Sequence, residues 1–273
     1  MYTLDTWLNL TTTEIAEIVS VRAATAAVYL NGTRRWFLSR SQNWEDYPAM
    51  TAAAHRELNQ LLYVHGVQTL IQPLLGYDLL ERGRDYLNMA VEPGLMELVK
   101  PNYLDWLHQL EVRVSFYGNW QETLQRLEYD AVVDSLMSLT EETQNYTRHK
   151  LLFGVFADEG LDRIVSLAQQ ITDGDALMTA YYGQPVAPVN LVIGSGQPAI
   201  WDLPLLDINK ASLYFMQAPT FYLDQRMLRS ILYDYLYHRV NDEAIYEGLS
   251  EQYWQRYQVI GLGKQSQGGW IAI

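Results

Sequence analysis

Apolar residues recur along the chain in two rhythms. Short runs rich in β-branched and aromatic residues cover positions 25–30 (TAAVYL), 68–74 (QTLIQPL), 111–117 (EVRVSFY), 151–156 (LLFGVF), 190–193 (NLVI) and 211–215 (ASLYF), and each reads as a strand. Longer stretches of helical period lie between them, at 51–64, 78–99, 127–143, 161–171 and 224–239. Thr11, Thr12 and Thr13 ahead of Glu14 have the make-up of a helix N-cap with an acidic first turn. Strands alternating with helices predict a parallel sheet covered on both faces. The nearly unbroken apolar runs at 151–156 and 190–193 suit strands buried on both sides. Six strands in one sheet consume most of the chain, and no Pro/Gly/Ser-rich linker divides it. The expectation is one α/β domain over 1–273, with a central, mainly parallel six-stranded sheet flanked by helices.

Composition narrows the chemistry. The chain has 273 residues, no cysteine, and 32 acidic against 19 basic side chains, a formal charge of −13. Without cysteine there are no disulfides, thiolate metal sites, Cys-ligated iron–sulfur clusters or Cys nucleophile. The acidic balance argues against nucleic acid or an anionic membrane as partner, since both call for clustered Lys and Arg. The N-terminal run MYTLDTWLNLTTTEIAEIV carries no basic stretch and no long apolar segment, and no roughly 18-residue apolar span occurs. A cytoplasmic protein without stable membrane insertion is expected.

Several common catalytic signatures are missing. No GxGxxG follows a strand, and Gly261-Leu262-Gly263-Lys264 lacks the spacing of a phosphate loop and reads as a tail with turns. His55, His65, His108, His149 and His238 show neither HExxH nor paired ligand spacing, and there is no GxSxG elbow. DDxxD and DxDD are absent; Asn241-Asp242 opens a helix-like segment but has Ile245 where a metal-binding Ser or Thr is wanted.

The densest chemistry is Asn31-Gly32-Thr33-Arg34-Arg35-Trp36-Phe37, directly after the first strand. Ligands of α/β sheets bind beyond the carboxyl ends of strands. Gly32 lets the backbone approach a ligand, Thr33 offers a hydroxyl, and Arg34 and Arg35 supply planar forks of donors suited to phosphate. The next helical period begins only near residue 51, some way from this loop.

A strand followed by D-G-N-G-R-W is the diphosphate loop of the cis-prenyltransferases, and Asn31-Gly32-Thr33-Arg34-Arg35-Trp36 resembles it in place and order. Segments 111–118 (EVRVSFYG), 151–157 (LLFGVFA), 187–193 (APVNLVI) and 211–215 (ASLYF) resemble that family's later strands. The motifs 32–37 (GTRRWF), 79–83 (LLERG), 153–156 (FGVF), 212–215 (SLYF) with Ala218-Pro219, and 229–237 (RSILYDYLY) are similar to those of an offshoot, the tuberculosinol/isotuberculosinol type of diterpene synthase, over nearly the whole chain.

One departure bears on the substrate. The parent family's second phosphate site carries an R-T-G-G-E-like run after the fifth strand. Here it reads Gly194-Ser195-Gly196-Gln197-Pro198, with Gly194 in place of the Arg, Pro198 in place of the Glu, and no Arg from 189 to 225. A second diphosphate would be buried there without positive partners. A single allylic diphosphate is therefore expected.

The resemblance implies more. It gives Arg34, Arg35 and the backbone of Gly32–Arg34 the role of holding the departing diphosphate. Tyr47 and Tyr86 match pocket tyrosines that position a cation and water, and Asn31 stands where the family has a catalytic Asp. Trp36, Phe37, Trp44 and Asp46 would complete the substrate pocket. The implied reaction ionises a bicyclic C20 allylic diphosphate, kolavenyl diphosphate-like, and adds water to give a tertiary, kolavelool-like alcohol. Alternatives are transfer to a nucleoside or isoprenyl acceptor and a non-catalytic partner subunit of a cis-prenyltransferase. The resemblance further implies Mg²⁺ and a homodimer. Asn31 and Pro198 replace the usual metal-associated carboxylates, so the metal would ride mainly on the diphosphate, with Asp46 nearby in sequence.

Overall fold

Strands form at all six expected places: Thr25–Val28 (β1), Thr69–Leu75 (β2), Val112–Tyr117 (β3), His149–Val155 (β4), Leu191–Ser195 (β5) and Ser212–Met216 (β6). They pair in the order β3-β4-β2-β1-β5-β6, parallel throughout. The computed structural model describes residues 2–22, 24–157, 160–239, 263–266 and 269–272. The run TAAV lets β1 pass through the centre, with Ala26 opposite Leu70 of β2 and Leu191 of β5. Alternation feeds two cores. Ala26 and Val28 pack with Leu70, Leu151 and Ile193 on one face, and Ala27 and Tyr29 with Ile71, Leu152 and Val192 on the other. Because β2 lies on one side of β1 and β5 on the other, chain segments diverge at the carboxyl end of β1 and leave a crevice there.

Helices follow the expected periods, with corrections. The main one runs Tyr47–Val64, from Tyr47 rather than 51, because Pro48 fits the first turn; it buries His55, Leu58, Asn59, Leu62 and Tyr63. Thr11 accepts from the Glu14 N–H at 3.2 Å while Glu14 accepts from the Thr11 N–H at 2.8 Å, closing a capping box on helix Thr12–Arg22. The single helix expected at 78–99 is instead a chain of short turns: Tyr77–Arg82, Arg84–Tyr86, a π-helical turn Leu87–Val91, then Glu92–Met96 and Glu97–Val99. Gly83 at φ 85 and ψ 166 leaves helical space, and Pro93 restarts a helix at its first turn. The period at 127–143 appears as Asp130–Thr143, preceded by a helix Trp120–Arg126 that the apolar spacing did not show, the two parted by Glu128 at φ 66. The last two periods appear as Gly160–Ala168, and as Gln225–Asp234 continued by a π-helical turn Tyr235–Arg239.

The motif at 229–237 is structural. Buried Arg229 donates to the Leu8 and Leu10 carbonyls, both at 2.8 Å, to Thr12 Oγ1 and to His65 Nε2, while Trp7 Nε1 donates to its carbonyl. The cation thus ties the amino-terminal helices to the helix Gln225–Asp234. Asn241, Asp242 and Ile245 lie outside the described residues. Gly263–Ser266 pairs antiparallel with Gly269–Ala272, so Gly263 and Lys264 open a strand rather than a turn.

Candidate active site

The loop after β1 is shaped by one glycine. Gly32 sits at φ 78, and a Cβ there would stand 3.0 Å from Pro219 Cβ and 3.2 Å from the Arg35 guanidinium. Only glycine meets both the conformation and the space. Gly32 caps a short helix, Thr33–Leu38, that sequence periodicity did not reveal; the loop therefore carries a helix start of its own, well before the helix at Tyr47. No side chain caps this start, which leaves its first N–H groups, beside Arg34 and Arg35, without a capping acceptor. Both arginines are exposed, and among the described residues neither has a carboxylate in ion-pair range. A cationic, donor-rich end facing solvent is what an anionic ligand needs.

The matched tyrosines flank this end. Two guanidinium groups approach the Tyr86 ring, Arg34 at 5.8 Å and Arg82 at 5.1 Å from its centroid. Arg82 also donates to the Tyr86 hydroxyl at 3.4 Å and pairs with Asp78 at 3.1 Å. The Tyr47 hydroxyl shares a 2.9 Å hydrogen bond with Thr33 Oγ1. Burial pushes the Tyr47 phenol above its ordinary range, so it stays protonated and orders neighbours rather than taking protons.

These groups share a cleft of about 720 Å³, within the range of small-molecule sites. Leu30–Arg35 after β1, Leu75, Gly76, Asp78, Leu79, Arg82 and Tyr86 at and after the end of β2, and Trp201 with Asp202 after β5 line it. An apolar annex of about 130 Å³ adjoins it, sharing Leu30, Thr33, Tyr47, Leu74, Leu75 and Val91. At the annex His55 is fully engaged: its Nε2 lies 2.6 Å from Gln72 Oε1 and its Nδ1 2.9 Å from the Tyr103 hydroxyl. Burial lowers that imidazole to about 4, and with both ring nitrogens engaged it is a neutral part of the wall.

Asn31 is held from the β5–β6 side. Its carbonyl accepts from the Thr220 N–H at 3.1 Å and the Ser195 hydroxyl at 3.3 Å, and its side-chain oxygen faces the Ser195 N–H at 3.5 Å. The position of the parent family's second arginine is closed. A Cβ on Gly194 would stand 2.9 Å from Cε1 of Phe215, its partner across β5–β6. Pro198 is exposed beyond the strand end.

Four expected pocket residues lie elsewhere. Trp36 and Phe37 are turned inward by the Thr33–Leu38 helix into a small core with Ala54, against which Trp44, Met50 and Phe221 pack. Trp44 touches Phe37 and Tyr47, with ring centroids 5.3 and 5.4 Å away. Asp46 is exposed, and none of the four lines the cleft or the annex. Phe37 and Trp44 pack against the Tyr47 ring. A bound Mg²⁺ finds a poor protein cage: no group of three His, Asp or Glu among the described residues is arranged to hold a metal, and Asp78 is already paired to Arg82.

Sequence reasoning missed Pro219 and Thr220 as supports of the loop, although Ala218-Pro219 stood out as a motif, and Arg82, Asp78, Trp201 and Asp202 as cleft residues. Arg82 lay within LLERG; for Trp201 and Asp202 the chain carries no local signal.

This fold is that of the cis-prenyltransferases. Lavandulyl diphosphate synthase from Lavandula x intermedia superposes with a TM-score of 0.62 at 15% identity, over 79% of this chain and 95% of that one. A probable undecaprenyl diphosphate synthase from Campylobacter jejuni gives 0.57 at 16%, over 81% and 98%. No family model matches the chain. Tuberculosinyl adenosine transferase of Mycobacterium tuberculosis is 34% identical over 243 residues, 85% of this chain and 82% of that protein. The (+)-kolavelool synthase of Herpetosiphon aurantiacus is 23% identical over 275 residues, 92% and 90% of the two chains. The chain belongs to the family of tuberculosinyl adenosine transferase, enzymes built on the cis-prenyltransferase fold.

Proposed function

We propose that this chain ionises a single bicyclic C20 allylic diphosphate, kolavenyl diphosphate-like, and adds water to give a tertiary, kolavelool-like diterpene alcohol and free diphosphate. The observation that carries this reading is the asymmetry of the site: arginines on the loop after β1 with no carboxylate partner among the described residues, and a phenylalanine ring filling the space over Gly194 after β5. The carbon–oxygen bond breaks with its electron pair leaving on the diphosphate. Arg34, Arg35 and the first N–H groups of the Thr33–Leu38 helix gain interaction as that charge grows. The rings of Tyr47 and Tyr86 face the cation, and their hydroxyls, fixed to Thr33 and Arg82, order the water. A Mg²⁺ ion would ride mainly on the diphosphate and neutralise part of its charge, since the described residues offer it no cage.

Transfer to a nucleoside in place of water is the second reading, supported by the 34% identity to tuberculosinyl adenosine transferase. Both readings share ionisation and exclude elongation. The test is to supply the purified chain with a bicyclic C20 allylic diphosphate and isopentenyl diphosphate together. Diphosphate release without any C25 product is expected; a C25 diphosphate would overturn the proposal.

A further inference from the structure

Residues 201–204 form no regular element, yet three buried phenols fix them. The Tyr29 hydroxyl donates to the Trp201 carbonyl at 2.7 Å and accepts from the Trp201 N–H at 2.9 Å, and its ring stacks on the indole at 3.9 Å. The Tyr117 hydroxyl donates to the Asp202 carbonyl at 3.0 Å, and the Tyr182 hydroxyl to the Pro204 carbonyl at 2.6 Å. Asp202 sits at φ 55, in the left-handed region that Asp tolerates better than most non-glycine residues. The fixed segment places Trp201 and Asp202 in the wall of the cleft that holds Arg34 and Arg35.

The cleft is therefore polar in two senses. Its β1 side is cationic. Its β5 side carries a carboxylate and an indole, and the sequence offers no arginine from 189 to 225. A second diphosphate finds no arginine there to pair with it. An uncharged nucleophile with an O–H or N–H to lose meets a proton acceptor and a flat apolar wall. Capture of an allylic cation by such a nucleophile must release one proton, and the Tyr47 phenol, kept protonated by burial, does not take it.

We propose that Trp201 and Asp202 form the acceptor side of the active site, where the indole seats an uncharged protic nucleophile and the Asp202 carboxylate takes its proton. This deepens the proposed function and rests on it. The bond from carbon to the nucleophile's oxygen or nitrogen forms from that atom's lone pair; its proton passes to Asp202 and then to solvent, and the allylic C–O pair has already left with the diphosphate. Water and a flat nitrogen heterocycle share this chemistry.

The test compares wild type with Asp202→Asn, which keeps the size and tolerates the left-handed backbone. With a bicyclic C20 allylic diphosphate as substrate, the expected result is a KM within about twofold of wild type, roughly 100-fold slower formation of the substituted product, and a larger share of dienes from simple proton loss. Should Asp202→Asn fail to fold, Asp202→Gly relieves the backbone and is expected to give the same shifts. With adenosine as probe, Trp201→Leu raising the KM for adenosine at least tenfold, with water capture little changed, assigns a heterocycle. A fall in water capture in Trp201→Leu, with no adenosine adduct in wild type, assigns water. Unchanged rate and product ratio in the Asp202 variants of an active wild type would overturn this inference alone. A wild type that never releases diphosphate would sink the proposed function with it.

Discussion

The Arg35 guanidinium lies over Gly32, 3.2 Å from where a Cβ would stand. It is exposed and free of carboxylate partners among the described residues, so the fold gains little from its charge. Arg35→Ala is therefore expected to lower turnover on an allylic diphosphate by about 100-fold or more while leaving the melting temperature within a degree or two of wild type. Steady-state kinetics beside a thermal melt checks this, and a well-folded variant with normal turnover would remove Arg35 from the site. At this scale the arginine loop stood out because paired arginines after a strand are rare chemistry in so acidic a chain, whereas Tyr47 and Tyr86 were singled out by the family resemblance alone. Trp36 and Phe37 were misplaced for a physical reason: a short helix turns alternate faces inward, and no sequence period is long enough to reveal six residues of it.

The elements that carry the site are the irregular ones. β1, β2 and β5 were readable from apolar runs, but the cleft is walled by the loops and turns at their carboxyl ends. The chain of turns from Tyr77 to Val99 reads as one helix from its apolar spacing, and Gly83 and Pro93 break it so that Asp78, Arg82 and Tyr86 face the loop. Across β5–β6 the glycine at 194 was legible as a lost arginine, whereas the Phe215 ring above it comes from strand register, which no short motif encodes. Gly194→Ala is expected to destabilise the fold by ~1–3 kcal/mol, since its methyl meets that ring. Phe215→Leu in the same chain should restore part of the loss. Denaturant titration of the two single variants and the double decides it: strictly additive losses would mean that the ring does not fill the site.

At the scale of the whole molecule, three histidines are packed as neutral groups. Burial lowers His55 and His149 to about 4, with Arg148 adding to the effect on His149; burial and Arg229 lower His65, whose Nε2 accepts from that arginine. In the unfolded chain each titrates near its ordinary value of about 6.5. Between that value and about 4 the unfolded state binds more protons, so stability rises with pH. The contribution is complete above about pH 6.5 and is lost as pH falls toward 4. Denaturant unfolding should show lower stability at about pH 5 than at about pH 7.5, and a flat or opposite trend would mean that these imidazoles are not held neutral.

The account stands on ionisation of one allylic diphosphate, and the fate of oxygen reports on that step most directly. The measurement is the mass spectrum of the alcohol formed by the purified chain from a bicyclic C20 allylic diphosphate in ¹⁸O-labelled water. Breaking the carbon–oxygen bond at the arginine loop and capturing the cation with water places the label in a rearranged tertiary alcohol. Attack at phosphorus would instead return the primary alcohol with its original, unlabelled oxygen, and that product as the main one would contradict the mechanism.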